Sequence, residues 1–139
     1  HVKGDLKEVF KTNVLKTYPF PIIEGEKFFP ELFLWNRIAT KYKIRYFNKP
    51  IYMVEYQPTG LTASIIRIRM KSPVASMMTY SEMVHSRYPL HYKLRAAINY
   101  WRFWFCRTKG QKYPHIGFRW IWTFPIGLIL HLLDSVRVK

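Results

Sequence analysis

Glu24, Glu26 and Glu31 fall within one short stretch, EGEKFFPELFLWNR, of a 139-residue chain that has only 8 acidic residues. A carboxylate can take a proton from an attacking hydroxyl, and it can equally accept from backbone amides. The residues around it decide which. Gly25 supplies a turn, and Pro30 suits a first helical position because its missing N–H would be unpaired there anyway. Glu31 then stands in the first turn of a helix, where the dipole favours a negative charge. Two roles fit that position: a partner for the dipole, or a general base at the helix mouth. Downstream, Arg67 and Arg69 are spaced to reach a phosphate or to lie solvated.

These groups need elements to hold them. Leu34, Trp35, Ile38, Ala39 and Tyr42 recur at helical spacing and give the Glu31 helix a buried face. Ahead of it, Glu8 to Phe10 read as extended, and Thr12 as the cap of a short helix over 13–18 that Pro19 and Pro21 end. After it, 43–47 and 51–56 are rich in Ile, Tyr, Phe, Val and Met and read as two strands about an Asn48-Lys49-Pro50 turn. Pro58 and Gly60 mark a further turn. From Ser64 the pattern turns helical. Ile65, Ile66 and Ile68 begin one helix. Pro73 starts a second, with Val74, Met77, Met78, Ser81 and Val84 inward. A third covers 92–107, with Leu94, Ala97, Ile98, Trp101 and Phe105 as its stripe.

Composition limits the function classes. Hydrophobic residues make up 49% and aromatics 18%, too apolar for a disordered chain. The net charge of +15 is uneven: residues 57–139 hold 13 Lys and Arg against 2 acids. Such a half attracts nucleic acid, an anionic membrane or a phosphorylated substrate. The five His are scattered and the single Cys106 cannot build a zinc site or an internal disulfide. A lone thiol among Trp104, Phe105 and Arg107 reads as a buried structural cysteine in a reducing compartment. Neither a GxxxxGK[ST] loop, a GxGxxG turn nor a GxSxG elbow occurs.

The stretch around Glu31 resembles the inverting glycosyltransferases of family 2, many of which carry Glu-Asp-x-x-Leu-Trp-x-Arg. Glu31, Leu34, Trp35 and Arg37 fall on the Asp, Leu, Trp and Arg of that pattern; Pro30 replaces its first Glu. The resemblance extends through KGDLKEVF, RYFNKPIYMVEYQPTGLTAS, KLRAAINYWRF and FPIGLILHLLD. It implies an α/β fold class, the C-terminal half of a Rossmann-like GT-A domain over 1–63, followed by a helical extension over 64–117. It also implies that Glu31 is the catalytic base, that Glu24, Glu26, Arg67 and Arg69 bind substrate, and that Trp35 and Arg37 support the helix. The partners would be a nucleotide-sugar donor and a glycan or lipid-linked acceptor, with a divalent metal, Mg or Mn. The metal's Asp-x-Asp ligands would precede His1, since no Asp-x-Asp occurs in this chain.

The last stretch, 118–139, is apolar, and its run from Phe118 to Leu133 is shorter than the roughly 20 residues that span a bilayer. Trp120 and Trp122, beside Arg119, Lys109 and Lys112, suit a membrane interface. A terminal helix docked on the core is the alternative. Either way the expected location is cytoplasmic, or peripheral on the inner face of the membrane. A non-enzymatic module that binds nucleic acid or membrane through its basic, aromatic second half is the rival functional reading.

Overall fold

Ala96, Ala97, Tyr100 and Phe103 form one face of a helix and meet Met77, Tyr80 and Val84 of the helix before it, and this contact is the centre of the core. The computed structural model describes residues 7–47, 49–53, 55, 57 and 60–138. Its elements are α1 (Thr12–Lys16), α2 (Leu32–Ala39), α3 (Ile65–Met70), α4 (Pro73–His85), α5 (Leu90–Trp104), a 3-10 helix (Phe118–Thr123) and α6 (Phe124–Arg137). The main layers run α2 on α4, α4 on α5 and α5 on α6.

The expected α/β class is corrected here. Among the described residues there is no strand and no sheet, so this is a helical domain and not part of a Rossmann-like GT-A sheet. The two segments read as strands show why. Ile44, Phe47 and Met53 are 63%, 70% and 98% exposed. β-branched and aromatic residues favour a strand only where a neighbouring strand and a half-buried face receive them. Among the described residues neither is present. Val54, Tyr56, Asn48 and Pro58, which entered the strand and turn readings, and Gly4 and Asp5 of the KGDLKEVF stretch lie outside the described residues.

The helical readings fare better. Pro73 opens α4, whose Val74, Met77, Ser81 and Val84 are buried. The expected third helix begins two residues early, directly after Pro89, and ends at Trp104. α1 starts at Thr12 itself, with Lys11 before it. Pro125 and Gly127 are both accommodated in the last helix. Pro125 sits in the first turn of α6, where no N–H is missed. Gly127 is where α6 crosses α5: a Cβ there would stand 2.4 Å from the Trp101 Cβ and 2.9 Å from the Ile98 carbonyl oxygen. No helix among the described residues is long and apolar enough to cross a membrane.

Candidate functional site: the α2 mouth and two clefts

The N-terminal segment is tied to α4 by polar contacts. Glu26 accepts from the backbone N–H groups of Val74 and Ala75 at 2.7 and 2.8 Å, which satisfies two orphan donors at the α4 N-terminus. Ser72 Oγ accepts from the Phe28 N–H at 3.2 Å. Arg37 donates through Nε and Nη2 to Glu82 Oε1 at 3.1 and 2.6 Å, with its guanidinium 4.0 Å from the Phe33 ring centroid. Tyr88 Oη donates to Asn36 Oδ1 at 2.6 Å. These bonds fix the axis of α2 against α4.

Glu31 stands at the end of that fixed axis. It is the residue before α2, and its carbonyl accepts from the Leu34 and Trp35 N–H groups at 2.9 and 3.2 Å. Its side chain is exposed and makes no cap hydrogen bond. Among the described residues it forms no ion pair within 4.0 Å. Leu34 is buried and Trp35 half-buried, so the other residues of the motif anchor the helix while the carboxylate points away from the core. Glu24 is exposed as well.

The structure does not bring the expected substrate groups together. Glu26 is engaged with α4. Arg69 Nη1 donates to Tyr80 Oη at 2.6 Å. Burial pushes the Tyr80 phenol up, and the Arg69 charge opposes that shift. Arg67 is exposed on α3, where it lines a cleft of about 260 Å³ with Ser64, Arg102, Asp134 and Arg137. A second concavity of about 260 Å³ lies between α2, α4 and the loop before the 3-10 helix, with Phe33, Ser81, Glu82 and His85 in its wall. Glu31 lines neither.

Two polar pairs were not found by reading the sequence. Asp134 of α6 is buried and takes both prongs of Arg102. The signal was present: it is one of only two acids in 57–139 and lies in an apolar run. Cys106 Sγ lies 3.6 Å from His131 Nδ1. Burial, with help from the Asp134 charge, pushes its thiol up to about 11. At neutral pH it is therefore a protonated, poorly nucleophilic thiol.

Among the described residues no three His, Cys, Asp or Glu side chains converge to hold a metal ion. Comparison with known protein families, curated proteins and solved structures gives no match.

Proposed function

We propose that this chain is a helical part of an inverting glycosyltransferase, and that it presents Glu31 as the base that takes the proton from the acceptor hydroxyl. One observation carries the reading. Of the motif residues, Leu34, Trp35 and Arg37 are used to lock α2 onto the domain, whereas the Glu31 carboxylate is held out at the helix mouth with no structural partner among the described residues. The other carboxylates packed against the core are engaged: Glu26 with α4, Glu82 with Arg37 and Asp134 with Arg102.

In a single displacement the hydroxyl attacks the anomeric carbon opposite the leaving nucleotide diphosphate. A carboxylate within hydrogen-bond reach of that hydroxyl accepts its proton. Glu31 is free to do so once a second wall, which holds the sugar nucleotide, closes over the α2 mouth. Of the two expected phosphate-binding arginines, Arg67 stays exposed and accessible, whereas Arg69 is drawn in to Tyr80. Trp35 and Arg37 position the helix. The reaction belongs on the cytoplasmic side, where sugar nucleotides are made.

The nucleic-acid reading has less support. Tyr100, Phe103 and Trp120 are buried, and Trp101 and Trp104 pack edge-on against Phe124. Rings used in this way are not a stacking platform for bases. The proposal is tested by Glu31→Gln in the complete transferase, assayed for sugar transfer and separately for donor binding. Loss of turnover with donor binding retained is expected; unchanged turnover refutes it.

A further inference from the structure

The polarity of α6 is inverted. Pro125, Ile126, Ile129, Leu132, Leu133 and Val136 recur at threes and fours and are all exposed, Val136 at 77% and Ile129 at 57%. Beyond Phe124, which packs on Trp101, Trp104 and Phe105, the face turned to α5 carries Gly127 and Asp134, both buried, and His131, which lies beside Cys106 and Phe105. A helix on the outside of a soluble domain shows the reverse arrangement. Phe118 and Trp122 of the 3-10 helix, 87% and 57% exposed, add two aromatic rings just ahead of that face. Together these residues make an apolar patch that calls for an occupant.

Charge selects the occupant. Exposed Arg119 and Arg137 flank the patch at its two ends. Arg67 and Arg137 share the cleft beside the C-terminal end of α6, and the one acid in that cleft, Asp134, is already satisfied by Arg102. A second copy of this chain would bring another +15 against this one and repel it. An anionic surface is complementary in both respects. The 14 residues of α6 extend about 21 Å at 1.5 Å per residue, short of the hydrocarbon core, so the helix must lie in the interface and not across it. Trp, Phe and Ile on one side with Arg at the margins is the pattern of such in-plane helices.

We propose that α6 and the preceding 3-10 helix seat this chain in the plane of an anionic phospholipid bilayer, with Arg67 and Arg137 facing a lipid phosphate. Apart from Arg67, which the sugar-transfer reading also offers to a phosphate, this inference rests on residues that reading does not use. The patch residues are exposed in the fold, so charged substitutions there leave the core intact.

The test is co-sedimentation of the chain with vesicles of phosphatidylcholine alone and of phosphatidylcholine mixed with phosphatidylglycerol. The native chain is expected to bind the anionic vesicles and to bind the neutral ones far more weakly. Ile129→Asp with Leu133→Asp is expected to weaken binding on the order of tenfold for each residue removed from the membrane. Arg67→Glu with Arg137→Glu is expected to reduce the preference for the anionic vesicles. Circular dichroism checks that each variant remains helical. Equal binding by native and Ile129→Asp/Leu133→Asp chains would overturn the proposal. So would a failure to bind anionic vesicles, or a concentration-dependent dimer in solution that the same pair of substitutions abolishes.

Discussion

Arg102 of α5 and Asp134 of α6 form a two-pronged ion pair, with Nη2 donating to Oδ1 at 2.7 Å and the Asp134 side chain only 6% exposed. The pair holds the last helix in place while that helix turns its apolar face outward. Breaking one side strands a buried charge, whereas removing both leaves an apolar contact. Asp134→Ala is therefore expected to cost about 3–5 kcal/mol in a denaturant titration. The double variant Arg102→Leu/Asp134→Leu is expected to cost clearly less than either single change.

The α5–α6 crossing depends on the absence of a side chain at position 127. Gly127→Ala would push a Cβ into the Trp101 Cβ and against the Arg102 backbone nitrogen, 3.0 Å away. Backbone cannot yield as a flexible side-chain tip can. The strain, about 1–3 kcal/mol, exceeds the roughly 1 kcal/mol that Ala gains over Gly within a helix. A lower thermal midpoint is the expected result; a rise would mean that the helices separate freely.

Glu26 acts at a distance from the rest of its stretch. Its two bonds to the α4 N-terminus make it a cap supplied from a loop 48 residues earlier. Glu26→Ala is expected to destabilise the fold by about 1–2 kcal/mol, in the range of a lost N-cap. Glu24→Ala, on an exposed carboxylate, is expected to leave the denaturation midpoint unchanged, which makes it the matched control.

Alkaline pH acts on buried protons. Burial is the leading cause of the upward shifts of Cys106, to about 11, and of the Tyr100 and Tyr80 phenols. Each group keeps its proton longer in the folded state than in the unfolded chain. Its contribution is complete below the unfolded value, about 8.5 for Cys and about 10 for Tyr, and is lost as pH rises through the folded one. Stability should be flat with respect to these groups near neutrality and decline above about pH 8.5–9. The same shift predicts slow alkylation of native Cys106 at neutral pH compared with the urea-unfolded chain.

Much of the helical half was legible because its signals are local. Pro73 and Pro89 sit next to helix starts, and of the expected face Val74, Met77, Met78, Ser81 and Val84, Met77 and Val84 meet α5, together with Tyr80. The strands were misread because Ile44, Phe47 and Ile51 carry β propensity without a partner strand among the described residues, and pairing is a tertiary property. At the site, proline and turn chemistry placed Glu31 at a helix mouth but too far in: α2 starts at Leu32, so Pro30 is not its first residue and Glu31 precedes its first turn. Whether Glu26 would face a ligand or cap α4 could not be read, because its partners are distant in sequence. Arg69 was set beside Arg67 by spacing, yet Tyr80 draws it inward while Arg67 stays outside.

The proposed role of Glu31 as a general base is tested most directly by single-turnover sugar transfer, native against Glu31→Gln, in the glycosyltransferase to which this chain is proposed to belong. A positioned general base contributes about 10²–10⁴-fold, so the variant is expected to lose at least the lower figure while binding the donor normally. Thermal stability should not change, since the carboxylate has no structural partner among the described residues. Native-level transfer by Glu31→Gln would contradict the assignment.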